Sequence, residues 1–331
     1  MKISRTLKTV IKIIIAVGFY TGLYFLTEEN FQKIKDLDAL STTVDVLMLF
    51  FAVCLVPLNW FLEALKWKIS VSVFERISLK TSIKGVLMGI PPSVFTPNRV
   101  GEALGRPAAL NPKNRFQGVL ATAYCGLSQM PVMMFFAVVA CLFFKFSERS
   151  FSDAYFLSQW WFIFLGAVLT VFLAAVFMFP QYFIPFVRKK QKHEGLLGKL
   201  VFFCNYKKEE KIRLLWFSAL RYVVYSTQNY LSIRAFGIYF SYLEGMMSVF
   251  LIYALMSFLP RPALLELGVR CSATVLILKN YVSDFSAPTI SSVFLWGINL
   301  LFPALLGTFL FLLEKNTKKS IKKFCRFKNS I

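Results

Sequence analysis

Two short segments hold the residues of this chain whose types and spacing suit them to chemistry. The first reads Pro97-Asn98-Arg99-Val100-Gly101-Glu102-Ala103-Leu104-Gly105-Arg106, the second Pro260-Arg261-Pro262-Ala263-Leu264-Leu265-Glu266-Leu267-Gly268-Val269-Arg270. Each has a proline, an arginine close behind it, a glutamate five or six residues after the proline and an arginine four residues further on. Glutamate at i and arginine at i+4 face each other on one helical turn, in the favourable order. In or near hydrocarbon each charge alone is costly, and pairing makes both tolerable. Pairing Glu102 with Arg106 and Glu266 with Arg270 leaves Arg99 and Arg261 over. Guanidinium groups fixed at a broken helix bind phosphate bidentately, and helix N-termini add to the attraction for an anion. Arg99, Glu102, Arg106, Arg261, Glu266 and Arg270 are therefore the expected binding residues for an anionic, phosphate-bearing headgroup or ligand. Pro97, Gly101, Pro260 and Gly268 are expected to shape the breaks. The competing reading is that the Glu–Arg pairs only pin hairpins closed.

The elements that must position these residues are apolar helices. Of the 331 residues, 57% are hydrophobic and 17% aromatic, with 37 Phe. Apolar runs at roughly 8–27, 44–66, 116–145, 157–180, 213–236 and 288–313 approach or exceed the length of helix that crosses a bilayer, about 20 residues. The net charge of +21 does not point to nucleic acid, because the cations cluster at the ends of apolar runs: Lys2 to Lys12, Lys66 to Lys84, Arg188 to Arg213 and Lys315 to Lys328. That is the pattern of cytoplasmic loops, with a secondary role in holding anionic headgroups. Six scattered cysteines form no Cys-x-x-Cys pair, and His193 is the only histidine. A disulfide framework, a zinc site, a multi-histidine metal site and a histidine dyad are therefore not expected, and no cofactor is implied. Val10 to Leu26 has no small-residue cleavage site before Glu28 and Glu29, so it is expected to stay as a first span. Leu196 to Trp216 mixes apolar and basic residues and fits either an interfacial segment or a solvated loop.

Loop charges give the topology. The connection from Glu28 to Asp45 is acidic, and that from Lys66 to Lys84 is basic. Lys113 and Arg115 are basic too, so the region between must enter and leave by one face. The same argument from the basic 188–213 loop and the basic tail gives a second hairpin entering from the other face. The expected fold is all-α: a polytopic membrane helix bundle of about six full spans plus two re-entrant hairpins, at about 80–112 and 245–285. Residues 1–150 and 151–315 form the halves of an inverted repeat, 316–331 a basic tail, and both termini are cytoplasmic. Such repeats place binding sites near the bilayer midplane. Ala64-Leu65-Lys66-Trp67 and Ala219-Leu220-Arg221-Tyr222 hint at the same duplication.

The run Ala64–Trp67, then Ser78–Ser82, then Thr96 to Arg106 resembles the lysylphosphatidylglycerol synthase transmembrane-region family of flippase-like proteins. That family carries Pro-x-Arg-x-Gly-Glu-x-x-x-Arg in its first half, and every one of those positions is filled here. The resemblance covers about residues 8 to 315. The second half departs from it: Ala263-Leu264-Leu265 stands where the family has a glycine-rich turn, and Cys271, not glutamate, follows Gly268-Val269-Arg270. The resemblance implies a lipid-handling membrane module in the cell inner membrane. Only about 18 residues follow the last expected span, so the soluble aminoacyl-transferase domain of the best-known members is not expected. The leading expectation is a non-enzymatic transporter of a phospholipid or a polyprenyl-phosphate lipid. A membrane-embedded transferase with Glu102 or Glu266 as general base is the alternative, though the chain has no nucleophile motif, phosphate-binding loop or Asp-rich metal pair. A non-transporting partner of a separate envelope-lipid enzyme is the third.

Overall fold

A computed structural model of the chain describes residues 44–94, 96–147, 159–183, 200–258, 266–282 and 285–310. These are mostly helical, with no strand among the described residues. Helix α1, Val46–Val71, starts where the Asp45 carboxylate accepts from the backbone N–H groups of Leu47 and Met48 at 3.0 and 3.1 Å. That cap satisfies donors the first turn would otherwise leave open. Helix α2, Leu79–Val94, is followed by a tight turn at Pro97–Arg99 and by short α3, Gly101–Gly105, which packs back along α2. The return is so close that a Cβ on Gly101 would lie 2.1 Å from the Pro92 carbonyl oxygen, and one on Gly105 2.6 Å from that of Met88. After turns at Arg106–Ala109 and Pro112–Asn114 come α4, Arg115–Leu127, and α5, Gln129–Phe146.

Helix α6 spans Trp160–Met178 and α7 spans Lys208–Ala235. Then α8, Tyr242–Phe258, and α9, Glu266–Leu278, form a second antiparallel-packed pair. Helix α10, Ser286–Trp296, continues through a π-helical turn at Gly297–Leu301 to Leu310.

Among the described residues, four stretches are long and apolar enough to cross a membrane: Val46–Val71, Pro112–Phe146, Trp160–Met178 and Ser286–Leu310. Side chains such as Phe164 and Val171 on α6 stand 71% and 69% exposed, an arrangement that is costly in water and natural in lipid. The segment expected as a span at 213–236 is the 28-residue α7, but it falls outside that apolar class. Its buried face carries Ser218, Ser226, Gln228, Asn229 and Ser232, and it is packed against α1, α5, α8 and α10. Protein, not lipid, surrounds the polar row. The first expected span (8–27), the basic tail (316–331) and with them the sidedness of both termini lie outside the described residues, as do Pro260 and Arg261.

The ends of each hairpin are tied together. Glu75, just after α1, accepts from the Asn111 backbone N–H at 3.3 Å, from Asn111 Nδ2 at 2.9 Å and from Asn114 Nδ2 at 2.8 Å. The chain therefore enters α2 and leaves α3 at the same end of the bundle. At the other end, the Asp45 N–H donates to the Ala235 carbonyl at 2.9 Å, which sets α1 and α7 antiparallel. There the Phe240 and Tyr281 rings meet edge to face at 5.4 Å and bring together the two ends of the α8–α9 hairpin. The two hairpins thus open at opposite ends of the α1–α7 pair.

Candidate functional site

The turn of the first hairpin meets the first residue of α9 inside the bundle. Asn98 and Arg99 both take left-handed backbone, with φ of 50° and 57°, a conformation costing a non-glycine residue about 1–2 kcal/mol. Thr96 braces the turn: its hydroxyl accepts from the Gly101 N–H at 2.7 Å and donates to the Pro92 carbonyl at 3.1 Å. The turn aims Arg99 at the other hairpin, where it grips Glu266 with two hydrogen bonds, Nη2 to Oε1 at 2.8 Å and Nε to Oε2 at 3.3 Å. Arg99 is therefore not the left-over cation that helical spacing suggests. Its partner lies 167 residues away, and the expected Glu266–Arg270 contact is the longer one, at 3.9 Å.

Arg106 also does more than its spacing implies. It reaches Glu102 through Nη2, the expected i,i+4 pair, and Glu63 of α1 through Nη1 at 2.7 Å. Gly89 makes room for it, since a Cβ there would lie 2.6 Å from Arg106 Cγ. Glu63 is the hub of the cluster. Its other oxygen faces Arg221 Nη1 of α7 at 3.2 Å and Lys66 Nζ at 3.6 Å. Lys66 is wholly buried and donates to Gln129 at 3.3 Å. Arg221 Nε donates to Asn59 at 3.0 Å. From Asn59 an amide relay runs to Asn299 on the π-helical turn, to Gln228 and to the Ala52 carbonyl. Every link is within hydrogen-bond distance, and the relay ties Arg221 of α7 to α1 and to the π-helical turn.

Arg270 lies in an aromatic corner. Its Nη2 donates to the Tyr225 hydroxyl at 3.1 Å, and its guanidinium carbon sits 5.9 Å from the centre of the Tyr253 ring, itself stacked on Tyr225. Its Nε and Nη1 are buried without a hydrogen-bond partner among the described residues. A buried guanidinium with two idle donors is costly, and an acceptor brought to that corner would relieve the cost.

The site joins five cations, Arg99, Arg106, Arg221, Arg270 and Lys66, to three carboxylates, Glu63, Glu102 and Glu266. Burial is graded: the Arg99 and Glu102 side chains keep 29% and 23% of their surface exposed, against 4% for Arg270. The exposed side of the cluster is therefore the one that Arg99 and Glu102 form. Of the hairpin-shaping residues, Gly101 is required by the close return described above. Around Gly268 a Cβ would meet no atom within 4 Å among the described residues. Glu63, Lys66, Arg221, Tyr225 and Tyr253 were not foreseen as site residues. The available signal was a carboxylate and cations placed within or beside apolar runs. The paired Ala-Leu-Lys-Trp and Ala-Leu-Arg-Tyr runs do bring Lys66 and Arg221 to the same carboxylate.

The Arg99–Glu266 contact should show in a double-mutant cycle. With Arg99 half-buried and Glu266 buried, Arg99→Ala and Glu266→Ala are expected to couple by about 1–3 kcal/mol in thermal unfolding. Purely additive effects would mean that these two side chains are not in contact.

Residues 10–318 match a protein-family model described as lysylphosphatidylglycerol synthase TM region. No curated protein matches the chain.

Proposed function

The chain belongs to the lysylphosphatidylglycerol synthase TM region family of integral, multi-pass membrane proteins, and from that premise we propose that it is a flippase-like transporter of a lipid with an anionic phosphate headgroup. Its place is the inner cell membrane, and it works without covalent chemistry of its own. The observation that carries the reading is the excess of cations over carboxylates in a buried site, together with the idle donors of Arg270. A phosphate held there would be met by forked donors in a medium where each charge-assisted hydrogen bond is strong. Arg99 is its first contact, because its carboxylate partner is the one a phosphate would displace. Glu102 and Glu63 hold Arg106 in place while that exchange occurs.

The architecture supports movement between leaflets. In this reading α1 with the first hairpin and α4–α5 corresponds to α7 with the second hairpin and α10, the halves of an inverted repeat. A site between two oppositely opening hairpins can be exposed to either end by rocking one half against the other. The substrate is a phospholipid or a polyprenyl phosphate, since the site selects for the phosphate and the lipid-facing surface of the bundle for a molecule whose chain remains in the bilayer.

The test is leaflet exchange in proteoliposomes carrying labelled phosphatidylglycerol or a labelled polyprenyl phosphate. Arg270→Lys keeps the charge but not the fork, and Arg99→Ala removes the first contact. Each is expected to slow exchange about tenfold or more, the worth of one hydrogen bond to a charged group. Exchange at the unsubstituted rate in both variants, with equal amounts of folded protein, would sink the assignment. Covalent modification of the lipid by the purified protein would instead favour a transferase.

A further inference from the structure

A second feature lies on the flank of the bundle, away from the Arg99–Glu266 contact. There α1 and α7 leave an open groove of about 520 Å³. Helix α1 contributes Leu65, Lys68, Ile69 and Ser72, and α7 contributes Arg213, Trp216 and Phe217. The α1 set is spaced i, i+3, i+4, i+7, so it forms one continuous stripe of the helix surface. Glu63, Lys66 and Ser70 lie off that stripe and serve the central cluster and core instead.

The groove has a wet end and an apolar end. Lys68 sits in the last turn of α1 and Arg213 in the second turn of α7, and the antiparallel packing of these helices puts both at one boundary of the bundle. Among the described residues neither side chain has an acidic partner, and none of those lining the groove is a carboxylate. Trp216 stands beside them, 67% exposed on a surface that the rest of the bundle marks as lipid-facing. An indole in that position belongs at the headgroup level of a bilayer. Leu65 and Phe217 carry the groove away from the cations toward the membrane interior. Two turns beyond Arg213 on the same row of α7, about 12 Å deeper, stands Arg221 of the central cluster.

We propose that this groove is a docking site for one phospholipid with a net negative headgroup, its phosphate held by Lys68 and Arg213 and its upper acyl chain lying along Leu65, Ile69 and Phe217. Two unpaired cations with no carboxylate beside them select against zwitterionic headgroups, whose own cation would have no partner here. The apolar floor selects for a lipid over a free phosphate ion. The site rests on the bilayer reading of the bundle and not on transport: it binds whether or not the central cluster moves lipid.

Trp216 supplies the readout. In nanodiscs of phosphatidylcholine doped with brominated phosphatidylglycerol, the Trp216 fluorescence, isolated by difference from a Trp216→Phe variant, should be quenched in a saturable way. Lys68→Gln and Arg213→Gln, both at solvent-accessible positions, should each raise the half-saturating lipid fraction about fivefold, as expected for one cation near a membrane surface. Quenching of equal strength by brominated phosphatidylcholine, or quenching unchanged in the double variant, would overturn the site. Displacement by millimolar inorganic phosphate would identify a free-anion site and overturn the lipid assignment. Arg99→Ala should leave this quenching intact even where it slows exchange between leaflets, so either reading can fail alone.

Discussion

Replacing Glu63 with alanine is expected to lower the stability of the protein by about 3–5 kcal/mol, the cost of breaking a buried ion cluster by removing one side. Glu63 is 6% exposed and faces three cations at once: Arg106 at 2.7 Å, Arg221 at 3.2 Å and Lys66 at 3.6 Å. Arg106 retains Glu102, and Arg221 retains Asn59, but Lys66 is left with only a 3.3 Å amide contact. Glu63→Gln keeps the shape but removes the charge, so it should lose nearly as much. Adding Lys66→Met to Glu63→Ala should recover part of the loss, since one uncompensated buried charge disappears. Thermal unfolding in detergent, followed by loss of monodisperse protein, measures all three. A loss below about 1 kcal/mol for Glu63→Ala would mean that water reaches the cluster and solvates its cations.

Gly101→Ala should be the most damaging single-methyl change in the first hairpin. The added carbon would lie 2.1 Å from the Pro92 carbonyl oxygen, 2.3 Å from its carbon and 2.7 Å from the Ser93 nitrogen. All three are backbone atoms, which cannot swing aside as a side chain would. Helix α3 must back away from α2, at about 1–3 kcal/mol for an overpacked contact. Arg99 lies two residues upstream, so the shift also pulls it from Glu266 and weakens the junction between the two hairpins. Gly126→Ala is the control, because a Cβ there meets nothing within 4 Å among the described residues and alanine suits a helix better. Gly126→Ala should unfold at or above the unsubstituted temperature, and Gly101→Ala below it. Equal unfolding temperatures would show that the hairpin closes less tightly than the packing of Gly101 and Gly105 requires.

The first hairpin was legible in detail because its determinants are local. Pro91 and Pro92 are carried inside the last turns of α2, Pro97 opens the turn that follows, the glycines permit the return, and Glu102 and Arg106 are set facing by a spacing of four. The basic loops on either side placed its two ends at one face, and the Glu75 bonds to Asn111 and Asn114 join those same loops. Helix α7 was read as a span from its aromatic and aliphatic residues, yet its polar row faces protein. Hydropathy sums a segment and says nothing of what each face of it touches.

What the sequence by itself determined is the class of the molecule and the address of its chemistry. Transfer of apolar surface out of water adds residue by residue along a run, so runs such as Val46–Val71 and Trp160–Met178 declare themselves without a fold. Arginines and glutamates at helix breaks stand out for the same reason, since each is costly in such surroundings. Only the tertiary structure decided which charge meets which. Arg99 faces Glu266 of the second hairpin, and Glu63 gathers Lys66, Arg106 and Arg221 from three segments. Ion pairing is settled within a few ångströms and by the direction of each side chain, and neither is encoded in spacing along the chain. Arg99, one of the two arginines left over by spacing, is therefore paired across the bundle, and the idle donors belong to Arg270.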